Sequence, residues 1–172
     1  MTHGWNDDKS SFLGDARDAF QTHTTHNFVA VDWSVGAKLA DYVQAASNTQ
    51  SAGRAIAYMF NELKNNGFRA NQFECSGHSL GSHVCSYAAK YTQSEFGFTI
   101  SRVIGMDAAG PMFEKVTSPV RIDKSDADFV DLIHTNGGNE DGGFCGISAA
   151  LGHADFFPNG GSNVSRDQVG NE

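Results

Sequence analysis

Residues 76–83 read SGHSLGSH, and within them Gly77-His78-Ser79-Leu80-Gly81 sets a serine between two glycines. No other stretch limits the fold as tightly. The residues before it, "QFECSG", have the length and character of a short strand, and after it Leu80, Val84, Tyr87, Ala88 and Tyr91 recur every three to four residues, the period of a helix. A serine pinned between a strand and a helix sits on a sharp, strained turn, and only side chains as small as those of Gly77 and Gly81 clear the neighbouring backbone. Its hydroxyl then stands at the carboxyl edge of a sheet. Because the helix starts at Ser79, the N–H of Leu80 points to where an acyl oxyanion would form. The five-residue motif alone recurs by chance in a chain with 19 glycines. Its placement between strand and helix carries the argument.

The rest of the chain supplies the matching architecture. Phe12, Leu13, Ala16 and Phe20 fall at helical spacing over residues 10–22, with Ser10 and Ser11 as candidate caps. "NFVAVDW", residues 27–33, is predicted to be a strand. Ala52, Ile56, Met59, Phe60 and Leu63 form one helical face over 51–65, stopped by "NNG". "SRVIGMD" (101–107) and "DFVDLIHT" (128–135) read as buried strands. Strand and helix alternate, the pattern of a parallel sheet covered by helices. No repeat, linker or low-complexity tract divides the 172 residues, so a single α/β domain, or a piece of one, is expected.

Composition narrows the function. With 40% hydrophobic and 19% charged residues the chain has the means to bury a core. No apolar run reaches the ~18 residues of a membrane span, and "MTHGWNDDKS" lacks the basic and apolar segments of a secretory signal. A net charge of −8 excludes nucleic-acid binding through a basic face, leaving small molecules, neutral lipids or proteins as partners. Three cysteines do not make a disulfide framework, and Cys75 and Cys85, in apolar surroundings, read as small core residues.

If Ser79 is a nucleophile, it needs an acid, a base and a second oxyanion donor. Asp107, ending a predicted strand before the turn "AAGP", stands where the acid of a serine–acid–histidine order belongs. His3-Gly4-Trp5, just ahead of the first helix, offers the N–H of Trp5 opposite that of Leu80. The base must follow Asp107, which leaves His134 and His153. His78 and His83 flank the nucleophile, but the elbow turns their side chains elsewhere, so packing roles are expected.

"HGW", "VAVDW", "GHSLGSHV", "RVIGMDAAGPMFE", "RIDKSDADFVDLIHTNGG" and "LGHADFFPNGG" together resemble successive segments of the pancreatic lipase family of α/β-hydrolases. The resemblance implies a mostly parallel sheet with helices on both faces. It implies a secreted lipid carboxylester hydrolase, of triacylglycerol lipase or phospholipase A1 type, working at a lipid–water interface. Ser79 would be the nucleophile, Asp107 the triad acid, and Trp5 and Leu80 the oxyanion donors. His134 and His153 match structural positions of the family. The catalytic histidine of the family lies beyond "FPNGG", after a lid, so residues 1–172 are expected to be the central part of one catalytic domain, without the first strands, lid or base, and inactive alone.

The family's structural calcium site resembles residues 118–126, with the carbonyl of Arg121 and the carboxylates of Asp123 and Asp126, although Ser118 stands where some members carry a glutamate. The family's "LDPAGP" is "MDAAGP" here, and Ala108 in place of proline implies a local backbone effect only. The sequon Asn163-Val-Ser165 would carry a glycan in the secretory pathway. The Gly-rich loop from Asn136 to Cys145 is not short enough to favour the phospholipase reading. A non-catalytic lipid-binding or yolk-type protein on the same scaffold is the alternative.

Overall fold

A computed structural model describes residues 1–10, 12–38, 40–138 and 145–162. Among these residues four α-helices, α1 (Leu13–His23), α2 (Ser34–Ala37), α3 (Tyr42–Asn65) and α4 (Leu80–Phe96), accompany four strands, β1 (Glu74–His78), β2 (Arg102–Met106), β3 (Phe129–Ile133) and β4 (Ala154–Phe156). The strands pair in parallel in the order β1-β2-β3-β4, with Cys75 beside Val103 and Val103 beside Val130. The alternation of elements read from the sequence is thus a parallel α/β sheet.

Each long helix has local reasons for its limits. The Asp41 carboxylate accepts the amides of Val43 (2.9 Å) and Gln44 (3.3 Å) at the start of α3. At its end, Gly67 takes a φ of 99° and the Phe68 amide reaches back to the Leu63 carbonyl (3.1 Å), so "NNG" is the stop expected of it. α4 ends likewise at Gly97. α1 begins later than its apolar spacing suggests. Ser10 does not cap it: the cap position is Phe12, two residues on, and the Ser10 amide and hydroxyl donate to the Asp8 carboxylate, while Ser11 lies outside the described residues.

Helix α4 packs on β1 and β2 and is flanked by α3. Between them lie the fully buried Leu80, Val84, Val103, Ile122 and Val130. Removing each such side chain from water contributes about 1.5–3 kcal/mol. On the opposite face Ser76, Ile104 and Met106 are half-buried, and the His78 ring lies edge-on to Phe12, just ahead of α1.

Two expectations need correction. The strand predicted over 27–33 is a single bridge between Val31 and Thr2, because a strand needs a partner and only Met1–His3 runs beside it among the described residues. Thr2 in turn bridges to Gly77, so the amino-terminal residues continue the sheet past β1. Cys75 and Cys85, read as separate core residues, are joined in a disulfide with Cα atoms 5.4 Å apart. Cys75 faces α4 from β1, and the helix brings Cys85 back over it.

That bond closes a short loop around the serine turn. Replacing both cysteines by alanine is expected to lower stability by about 2–3 kcal/mol. Urea unfolding of the oxidised protein and the double variant measures this. Equal midpoints, together with no gain of titratable thiols on reduction, would remove the disulfide from the account.

Candidate active site

Ser79 occupies φ 55°, ψ −121°, a region that costs a non-glycine residue about 1–3 kcal/mol. Surrounding backbone holds it there. Its amide donates to the Met106 carbonyl (3.0 Å), and its carbonyl accepts from the amides of Ser82 (3.1 Å) and Ala109 (3.3 Å). The two glycines of the motif are sterically required. A Cβ on Gly77 would lie 2.1 Å from the Gly81 carbonyl oxygen, and one on Gly81 would lie 2.6 Å from that of His3. The Ser79 side chain caps no amide of α4. Leu80 is the first residue of that helix, where N–H groups lack intrahelical acceptors.

The amino-terminal turn lies against this elbow. The Thr2 amide donates to Ser76 (2.9 Å), the His78 amide to Thr2 (3.2 Å), and a Cβ on Gly4 would come within 2.9 Å of the Ser79 Cβ. His3-Gly4-Trp5 therefore passes directly over the serine. Buried His3 anchors it. Its ring stacks on Trp33 at 5.7 Å, its Nε2 accepts the Trp33 amide (3.1 Å), and its carbonyl accepts the Trp33 indole N–H (2.8 Å). "VDW" thus matters for bracing this turn, a role its apolar run does not reveal. The Trp5 ring stands edge-on to Tyr42 at 5.2 Å.

Asp107 follows β2 directly, next to the strand that leads into Ser79. It too has a positive φ, 48°, and its amide donates to the Ile133 carbonyl (2.8 Å). Its Oδ1 accepts the amides of Thr135 (3.1 Å) and Asn136 (2.8 Å), which orients the carboxylate and leaves Oδ2 without a protein donor among the described residues. Ala108, the departure from the family motif, is buried, and its carbonyl accepts the Ile147 amide (2.8 Å).

No histidine makes a hydrogen bond to Ser79 or Asp107 among the described residues. His134 is buried, bonded through Nδ1 to the Ile147 carbonyl (2.8 Å) and through Nε2 to Asp155 (2.7 Å), and stacked on Phe157. His153 accepts the Val130 amide on Nδ1 (3.0 Å) and stacks on Phe129. Both have the structural placement expected of them. His83 accepts the Ile122 amide on Nδ1 (3.3 Å), which leaves Nε2–H to donate to the Ala109 carbonyl (2.9 Å). Burial drives its pKa down to about 3, so it stays neutral and engaged at ordinary pH.

The residues assigned to calcium do not fit that ion. Arg121 and Asp126 are close together, but the Arg121 carbonyl and Asp126 Oδ1 both accept from the Lys90 ammonium, while Asp126 Oδ2 accepts the Asp123 amide (3.0 Å). Asp123 Oδ1 accepts the amide (3.1 Å) and hydroxyl (2.8 Å) of Ser125. Calcium asks for six to eight oxygens, whereas the Arg121 carbonyl, both Asp126 oxygens and Asp123 Oδ1 already accept hydrogen bonds, beside a Lys90 ammonium that would repel the ion. Apolar spacing and motifs do not mark Lys90. It is nonetheless the sole Lys or Arg in α4, a signal that the sequence does carry. Asn163 and most of the loop between Asn136 and Cys145 lie outside the described residues.

Comparison with known proteins bears on what this geometry belongs to. The model of the lipase family matches residues 1–167. The chain belongs to the lipase family. Among its lipase relatives, pancreatic triacylglycerol lipase of Mus musculus is 40% identical over 166 residues, covering 94% of this chain and 34% of that protein. Pancreatic lipase-related protein 2 of Cavia porcellus is 37% identical over 175 residues, covering 99% of this chain and 39% of that protein. The chain spans about a third of the length of the curated relatives it matches. The parallel sheet with its helices agrees with the α/β-hydrolase fold of this family. Among the described residues, no helix of this lipase-family chain is long and apolar enough to cross a membrane.

Proposed function

We propose that this chain is the central, nucleophile-bearing part of the catalytic domain of a secreted lipid carboxylester hydrolase. The observation that carries the reading is the strained Ser79 at the head of α4, with Gly4 packed against it and Asp107 at the end of the adjacent strand. Ser79 Oγ attacks the ester carbonyl carbon while a histidine takes its proton. The oxyanion accepts the N–H groups of Leu80 and Trp5. Collapse of the tetrahedral intermediate expels the alcohol, which receives the histidine's proton. Water, deprotonated by the same histidine, then releases the fatty acid from the acyl-serine.

We assign that histidine to residues outside 1–172, since among the described residues no histidine hydrogen-bonds to Ser79 or Asp107, and His83, His134 and His153 are engaged in the fold. Oxyanion donors and binding alone retain roughly 10³–10⁴ over water, so the segment by itself is close to inert. The Cys75–Cys85 disulfide supports secretion, because such bonds persist in oxidising compartments. Triacylglycerols are the substrate class indicated by the names of the relatives.

A fluorophosphonate probe applied to the natural protein tests this reading. The expected result is covalent label on Ser79, found by peptide mass spectrometry, in a protein larger than 18.5 kDa. A folded, lipid-binding protein that takes up no label would favour the non-catalytic alternative.

A further inference from the structure

Helix α4 does more than carry the nucleophile. At intervals of three and four residues it presents His83, Ser86 or Tyr87, Lys90 and Gln93 toward residues 120–126. Tyr87 donates its hydroxyl proton to the Val120 carbonyl (2.8 Å), and Gln93 Nε2 donates to the carbonyls of Ser125 (3.0 Å) and Asp126 (2.7 Å). At the centre lies Lys90. Its Nζ donates to Ser86 Oγ (2.9 Å), to the Arg121 carbonyl (2.9 Å) and to Asp126 Oδ1, which uses all three ammonium protons.

This is a cation held by a hydroxyl, a carbonyl and a carboxylate, and the carboxylate is 1% exposed. Two of these three oxygens belong to the residues that the family resemblance assigned to calcium. An ion bonded to both would compete with Nζ for the same oxygens and meet its positive charge at contact distance. Burial pushes the Asp126 carboxyl above the usual carboxylate range, and Lys90 opposes that shift. The ammonium is the countercharge of this buried carboxylate.

We propose that Lys90 is a built-in cation that takes the place of a divalent ion, tying residues 120–126 to the nucleophile helix and making the fold independent of calcium. The inference goes beyond the hydrolase reading and does not rest on it, since it concerns what holds the fold, whether or not Ser79 reacts. Its consequence reaches the site through the chain, because residues 120–126 lead into β3, beyond which Thr135 and Asn136 orient Asp107.

Thermal unfolding of the full natural protein, in chelator and in millimolar calcium, provides the test. The unaltered protein is expected to melt at the same temperature in both. Lys90→Met is expected to melt roughly 5–15 °C lower in chelator, because it strands a buried carboxylate. Calcium should restore part of that loss, by occupying the oxygens that Lys90 released. The proposal is overturned if chelation lowers the midpoint of the unaltered protein, if Lys90→Met melts with it, or if calcium leaves the folded variant unchanged. Should Lys90→Met not fold, Lys90→Gln, which keeps a donor but no charge, replaces it, and the chelator comparison on the unaltered protein stands independently.

Discussion

Ser79→Ala is expected to lower kcat for ester hydrolysis by about 10⁶-fold in the full natural protein. The thermal midpoint should hardly change. The hydroxyl caps no helix amide, and the strained backbone at φ 55° is held by the Met106, Ser82 and Ala109 contacts, which alanine retains. What disappears is the atom that forms the acyl-enzyme. Titration against emulsified triacylglycerol, with lipid binding followed in parallel, separates the two roles of the site. Binding should persist as hydrolysis falls. A loss of less than tenfold would show that Ser79 is not the nucleophile and that the elbow is a scaffold feature.

Asp107→Asn should cost about 10⁴-fold in kcat with little change in KM. The geometry makes this a clean substitution. An asparagine carbonyl in place of Oδ1 still accepts the Thr135 and Asn136 amides, so orientation survives. The negative charge that would stabilise an imidazolium is lost, and an amide donor replaces the Oδ2 acceptor. Circular dichroism and thermal unfolding should match the unaltered protein. A variant that keeps full activity would transfer the acid's role to another carboxylate.

Features that depend on short stretches of chain are legible in the residues themselves. The Gly77-x-Ser79-x-Gly81 spacing predicts the elbow because the constraint at Gly77 is local, a Cβ there meeting the Gly81 backbone, whereas the constraint at Gly81 comes from the Thr2 and His3 backbone laid over it. β2, β3, α4 and the 51–65 part of α3 are legible from apolar periodicity and helix stops, whereas its first turns from Tyr42 are not. The strand over 27–33 is not, because β-branched residues signal a willingness to pair and say nothing of how much partner is present. Nor is β4, at three residues, because its place beside β3 comes from sheet register rather than from any pattern of its own.

The sequence by itself determined that Ser79 heads a helix after a strand and that Asp107 ends a later strand. Those are consequences of residue order and local sterics. Only the tertiary structure decided that Gly4 lies against Ser79, that Cys75 bonds Cys85, that His83 is a neutral buried brace and that Lys90 claims the Arg121 and Asp126 oxygens. Each is a contact between groups brought together by packing, where burial and the need to satisfy every polar group choose the partner. A lysine, a carboxylate and a carbonyl separated by about thirty residues carry no mark of one another until the helix and the loop meet.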